Sequence, residues 1–125
     1  MENNSFLQAM GRKELGDWGE KQASKYLRNS GYQILEKNYS CKLGEIDLII
    51  CQNDILIFVE VKTRRSINYG PPQAAVDYRK QDKIKKVALY YLSINRGLDM
   101  ELRFDVISIM LKKGQVEIEH FENAF

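Results

Sequence analysis

The spacing of apolar residues changes period several times along the chain, and each change marks a new element. From about Lys13 to Asn29, Leu15, Trp18, Gly19, Ala23, Tyr26 and Leu27 recur at a helical period, and Asn29-Ser30-Gly31 supplies the stop. Tyr32 to about Cys41 reads as a strand, and Gly44 closes the turn after it. Glu45–Cys51 and Ile55–Lys62 are β-rich runs separated by Gln52, Asn53 and Asp54, the pattern of a hairpin. Both runs are apolar on both faces, which predicts central strands covered on each side. A basic, Gly-Pro-rich loop from Thr63 to Pro72 follows. A second long helix then runs to about Asn95, with Ile84, Val87, Ala88, Tyr91 and Leu92 on one face and Gly97 as its stop. Glu101–Met110 and Gln115–Phe121 are two further strands joined by a turn at Lys112-Lys113-Gly114. The predicted order is α-β-β-β-α-β-β in a single domain. It is an α/β chain with a mixed sheet of about five strands flanked by helices, after a loosely ordered start over residues 1–11.

Composition narrows the chemistry. The chain has 125 residues, 44% of them hydrophobic and 29% charged. That length buries roughly two-thirds of the unfolded surface, enough for one core without disulfide or metal support. No apolar run reaches the roughly 18 residues of a membrane span, and Met1-Glu2-Asn3-Asn4-Ser5 lacks the build of a signal peptide, so a cytoplasmic location with no membrane partner is expected. Cys41 and Cys51 form no C-x-x-C pair and His120 is the sole histidine, which excludes a zinc site. A catalytic mechanism needing a histidine in the ordered interior is excluded on the same count. The net charge of +2 conceals a segregation: residues 1–61 carry 7 basic and 9 acidic side chains, residues 62–97 carry 9 and 2, and residues 98–125 carry 3 and 6. Such a central basic stripe is either a solvated helix face or a footprint for a polyanion.

The hairpin concentrates the candidate chemistry. Glu60 and Lys62 share a strand face with Leu56 and Phe58, while Ile55, Ile57, Val59 and Val61 face the other way. If Asn53-Asp54 is a two-residue turn, Gln52 pairs with Ile55. That register puts Asp47 opposite Glu60 and Glu45 opposite Lys62, with β-carbons roughly 5 Å apart. Opposed carboxylates raise one another's pKa unless a cation lies between them. Mg²⁺, which takes one or two carboxylates, a backbone carbonyl and waters, meets that need. The alternative is a structural ion cluster in which Lys62 or an arginine neutralises the pair. On helix one, Glu20 lies at the border of the apolar stripe, able to point to the sheet or to snorkel outwards. Gln81, on the core face of helix two, either satisfies a buried backbone group or reaches the site.

Asp47, Glu60 and Lys62 resemble the metal-binding pattern of the PD-(D/E)XK nuclease superfamily. The fuller set is more specific: Gly16-Asp17-Trp18-Gly19-Glu20-Lys21-Gln22-Ala23, Gly44-Glu45-Ile46-Asp47-Leu48-Ile49, Phe58-Val59-Glu60-Val61-Lys62-Thr63-Arg64, Arg79-Lys80-Gln81 and Arg103-Phe104-Asp105. Together these resemble the bacterial YraN family, which is similar to archaeal Holliday-junction resolvases, over about residues 12 to 121. The resemblance implies a restriction-endonuclease-like three-layer α/β/α core. It makes Asp47, Glu60 and the Val61 backbone carbonyl ligands of Mg²⁺ or Mn²⁺, Lys62 the residue that activates water, and Glu20 an additional acid. Ile46 replaces the proline of the superfamily's name.

The expected activity is metal-assisted hydrolysis of DNA phosphodiesters in recombination or repair, on branched or structured DNA, with RNA left open. Thr63, Arg64 and Arg65 would grip neighbouring phosphates, and Arg79, Lys80, Gln81 and Lys83, with Lys85 and Lys86, would extend that track. A symmetric junction would suit a homodimer. The rival expectation is a non-catalytic nucleic-acid-binding protein that keeps the fold. Arg103 and Asp105 share a strand face, and a structural ion pair is expected of them.

Overall fold

The computed structural model describes residues 10–65, 76–95, 99–112 and 114–125. Helix α1 (Arg12–Asn29) starts at Gly11, whose N–H donates to the Glu14 carboxylate at 3.4 Å, and it buries Leu15, Gly19, Ala23, Ser24 and Leu27. Strands β1 (Gln33–Cys41), β2 (Gly44–Gln52) and β3 (Ile55–Arg64) follow, then helix α2 (Tyr78–Ile94) and strands β4 (Glu101–Lys112) and β5 (Gln115–Phe121). This is the order expected from the apolar periods. β3 runs two residues past Lys62, so Thr63 and Arg64 belong to the sheet and not to the loop. The part of that loop beyond Arg65, Gly97, Lys113 and most of the predicted loose N-terminus lie outside the described residues.

The five strands form one mixed sheet in sequence order, β1-β2-β3-β4-β5. All neighbours are antiparallel except β3 and β4, which pair in parallel from Ile55–Glu101 to Arg64–Met110. A parallel pair needs a crossover, and α2 lies on that crossover. Alternation along the central strands splits the core between two faces. Ile49, Leu56, Phe58 and Val106 pack with Ile84, Val87, Ala88 and Tyr91 of α2. Leu48, Ile50, Ile57, Val59, Ile107 and Ile109 pack with Ala23 and Leu27 of α1. The doubly apolar β2 and β3 are therefore covered on both sides, which is what makes a charged side chain at their ends expensive unless it is paired.

At the start of β4 the expected Arg103–Asp105 pair is present and larger than a pair. Arg103 donates twice to the fully buried Asp105, both at 2.9 Å, while His120 Nε2 lies 2.7 Å from it and the Asn123 N–H donates at 2.9 Å. Burial alone would raise the Asp105 pKa, but the His120, Arg103 and Asn123 hydrogen bonds together hold it below the ordinary carboxylate range. The sole histidine thus belongs to the ordered interior as a partner of Asp105. The His120 side chain is only 7% exposed, because it shares the inward face of β5 with Ile118, and its ring meets Tyr26 edge-on.

α1 docks on β3 through Gly19. A β-carbon added there would meet Thr63 at 1.8 Å from Oγ1 and 2.8 Å from both Cβ and Cγ2. The obstructing atoms include the branch point of a β-branched side chain, so a rotamer change cannot clear them all. Gly19→Ala is therefore expected to lower the unfolding free energy read from urea denaturation by about 1–3 kcal/mol of overpacking, even though alanine is the better helix former by about 1 kcal/mol. An unchanged or raised midpoint would show that α1 does not dock through this contact.

Candidate metal and nucleic-acid site

The β2–β3 ladder has the register inferred from the hairpin, from Gln52–Ile55 through Leu48–Val59, and it stops there. Beyond this point the strands fork, and Asp47 occupies the fork. Its Oδ2 accepts the Val61 N–H at 2.8 Å, so a side chain replaces the backbone partner that the ladder would have provided. In an extended residue the N–H and C=O point to the same edge, so the Val61 carbonyl also faces the β2 side. Across the other ladder Asn38 falls opposite Asp47, between the pairs Lys37–Leu48 and Tyr39–Ile46, and has a left-handed φ of 51°. Asparagine tolerates that conformation better than most residues. The break in regularity shows in the core as well: Ile46 packs on the α2 face, although strict alternation would put it beside Leu48 and Ile50 on the α1 face.

At the fork Asp47 meets an acid from each layer. Glu60, projecting from β3 to the α2 side, is 8% exposed and hydrogen-bonds to Asp47. Glu20, projecting from α1, is half-buried and faces Asp47 and Asn38. Burial, followed by the hydrogen bond and negative charge of Asp47, pushes the Glu60 pKa up to about 8 against the opposing effect of Lys80. Burial and the charge of Asp47 push Glu20 up to about 7, while the hydrogen bond from Asn38 works the other way. Three carboxyl groups are thus held where they cannot all ionise cheaply.

The structure brings together Glu20, Asp47 and Glu60 and places Lys62, half-buried, on the same strand face as Glu60 and opposite Ser108 of β4. It separates others. The Glu45–Lys62 juxtaposition falls beyond the end of the ladder, and Glu45 instead lines an open groove of about 460 Å³ with Arg79, Lys80 and Lys83. A second groove, of about 370 Å³, lies on the α1 side and is lined by Asp17, Glu20, Lys21 and Lys37, among others.

The three residues expected to grip phosphates beyond Lys62 are placed differently from one another. Thr63 turns towards Gly19, and Arg64 is only 7% exposed, because β3 continues through both residues. Arg65 is exposed, and its guanidinium donates to the Met10 carbonyl. Gln81 donates to the Val76 carbonyl at 2.9 Å, the backbone-satisfying role of the two considered. Lys85 and Lys86 are exposed on α2. Two contributions escaped the sequence reading. One is Asn38, signalled only by its tolerance of positive φ. The other is Lys80, whose Nζ lies 3.1 Å from Glu60 Oε1 and makes it an ion-pair partner before it is any phosphate contact.

Asp47 and Glu60 are hard oxygen donors suited to Mg²⁺ or Mn²⁺, with the Val61 carbonyl and waters able to complete the shell. Among the described residues, no set of three or more His, Cys, Asp or Glu side chains is arranged to hold an ion. The fit is therefore to a metal with a sparse protein shell, Asp47 and Glu60, and Glu20 is assigned no direct ligand role.

Because the folded protein holds protons on Glu60 and Glu20 more tightly than the unfolded chain, the native state binds more protons between about pH 4.5 and 8. The linkage slope is then negative: this contribution to stability is fully present below about pH 4.5 and is lost as pH rises through about 8. In chelator-treated protein the unfolding free energy read from urea denaturation should fall across this range, by at most a few kcal/mol, and Glu60→Gln should flatten most of the fall. A wild-type midpoint that rises from pH 5 to 8 would contradict the raised pKa values.

A family model described as "Uncharacterised protein family UPF0102" matches residues 19–109. A UPF0102 protein of Syntrophomonas wolfei subsp. wolfei is 47% identical over 113 residues, covering 90% of this chain and 98% of that protein. One from Alkaliphilus oremlandii is 50% identical over 115 residues, with 90% and 98% covered, and one from Geobacter metallireducens is 50% identical over 113 residues, with 90% and 93% covered. The matched span runs from Gly19 in α1 to Ile109 in β4 and so contains the fork, all three acids, Lys62 and Lys80. The chain belongs to the uncharacterised protein family UPF0102, the YraN-like family that its motifs resemble.

Proposed function

We propose that this chain is a divalent-metal-dependent DNA endonuclease with a restriction-endonuclease-like core, acting on branched or structured DNA. The observation that carries the reading is the meeting of Asp47 with Glu60 and Glu20 at the β2–β3 fork, beside Lys62. A core stabilised for its own sake gains nothing from a nearly buried glutamate hydrogen-bonded to an aspartate, whereas a cation site needs such a grouping.

Asp47 and Glu60 would hold the ion, with Asp47 fixed in place by the Val61 N–H. When bound, a Mg²⁺ or Mn²⁺ ion supplies the positive charge that polarises a phosphodiester and stabilises the leaving oxygen. Lys62, one strand period (about 7 Å) beyond Glu60 on the same face, would hold and orient the attacking water. Glu20, whose proton is held near neutrality, is suited to take or return a proton on the α1 side. Arg79, Lys80 and Lys83 line the groove on the α2 side and would follow the backbone of the nucleic acid without reading its bases.

One observation favours a second reading. The Lys80 ammonium already pairs with Glu60, as in a structural ion cluster, and this suits a binding module that keeps the fold without turnover.

The deciding experiment incubates labelled four-way, flap, nicked, duplex and single-stranded DNAs, with an RNA control, in Mg²⁺ or Mn²⁺. Cleavage of a branched substrate is expected, and Asp47→Asn should abolish it together with most of the metal affinity seen by calorimetry. Lys62→Ala should bind metal and DNA about as well as wild type yet cleave roughly a hundredfold more slowly, the worth of one positioned proton-transfer or electrostatic group. Binding without cleavage of any substrate would establish the second reading.

A further inference from the structure

Lys80 belongs to two places at once. Its backbone N–H is fixed at 3.0 Å by the side chain of Asp77, the N-cap of α2, so its Cα is anchored in the helix's first turn. Its ammonium reaches the nearly buried carboxylate of Glu60 at 3.1 Å, yet the side chain as a whole is 44% exposed and lines the groove shared with Arg79, Lys83 and Glu45. Among the described residues no other cation is ion-paired with Glu60. A lysine stem is flexible and its charged end is compact, so the end can swing while the backbone stays anchored.

We propose that Lys80 is an exchangeable counter-ion, paired with Glu60 until a divalent cation takes that carboxylate, and then released into the groove to contact a nucleic-acid phosphate. The inference rests on the proposed metal site and adds a coupling between metal and DNA binding to it. Both cations draw on the Glu60 carboxylate, whose Oε1 the ammonium holds, so a metal that takes this oxygen displaces the ammonium. The displaced ammonium leaves a desolvated partner for a groove that already holds Arg79 and Lys83, where a phosphate is the natural new partner. The reverse follows by reciprocity: DNA that captures the Lys80 ammonium vacates Glu60 and favours the metal.

The test uses full-length wild type, Lys80→Gln and Lys80→Arg, with folding checked by thermal melts, and Ca²⁺ as the oxygen-ligated probe ion. Calorimetry near pH 9, where proton competition is least, should show Lys80→Gln binding Ca²⁺ about tenfold more tightly than wild type, because no charge-assisted hydrogen bond is given up. Fluorescence anisotropy on a duplex should show that Ca²⁺ tightens wild-type DNA binding and steepens its salt dependence by roughly 0.9, one phosphate contact. Lys80→Gln should show no steepening, and Lys80→Arg should retain it. If wild type binds Ca²⁺ but Lys80→Gln matches it in both affinity and slope change, the exchange is wrong and the metal site stands. If wild type binds neither Ca²⁺ nor Mg²⁺, the metal site fails and the exchange fails with it.

Discussion

The hydrogen bond from the Val61 N–H to Asp47 is the contact on which the site depends. A central strand cannot leave a buried N–H unpartnered without a cost comparable to a lost hydrogen bond. β2 and β3 separate after Leu48–Val59, and the Asp47 side chain takes over where the backbone pairing ends. This substitution holds an anionic side chain between two strands that are otherwise apolar on both faces. From that position it touches acids on both faces, Glu60 towards α2 and Glu20 towards α1. The left-handed Asn38, opposite Asp47 on β1, completes the local irregularity and lends its side chain to Glu20.

The remainder of the molecule holds this fork still. Leu48, Ile50, Ile57 and Val59 are anchored under α1, and Leu56 and Phe58 under α2, so the strands are rigid up to the point of separation. The fit of Gly19 against Thr63 sets how closely α1 approaches β3, and Glu20 is the next residue along the helix. On the neighbouring strand β4, in register with Val59, Asp105 gathers Arg103, His120 and the Asn123 N–H into a buried network, and the Ala124 N–H donates to the Phe104 carbonyl beside it. That network is charge-rich like the fork but is satisfied by its own partners, and its acid is pulled below the ordinary range while Glu60 and Glu20 are pushed above it. The contrast separates a structural cluster from a candidate reactive one: partners supplied by the fold favour the ionised form, whereas an acid beside another acid awaits a cation.

Electrostatics also explain why the basic stretch is not a uniform binding face. Of the nine basic side chains in residues 62–97, Arg64 is buried in the sheet, Lys80 pairs with Glu60, and Lys85 and Lys86 are exposed on α2. Arg79, Lys80 and Lys83 collect along one groove, and Lys80 links it to Glu60 at the fork. No helix among the described residues is long and apolar enough to cross a membrane, so the basic stretch adjoins no spanning helix there.

The sequence by itself determined the order of elements, the doubly covered hairpin and its register, because side-chain period and a two-residue turn leave few alternatives once both faces must be buried. It therefore pointed to Asp47 and Glu60 as neighbours, one step past the last ladder pair, Leu48–Val59, and through helical spacing allowed Glu20 to face the sheet. Only the tertiary structure decided what happens past the end of the ladder. Alternation predicts a straight strand, but the fork at Asp47 depends on when the backbone of β2 leaves that of β3, which no local period encodes. The inward turn of Thr63 and Arg64 followed from β3 continuing two residues further than its apolar run, along β4 partners 46 residues away. The pairing of Lys80 with Glu60 and of His120 with Asp105 likewise required the relative placement of elements distant in sequence. Pattern tells which face a side chain takes, and packing alone tells which charge waits there.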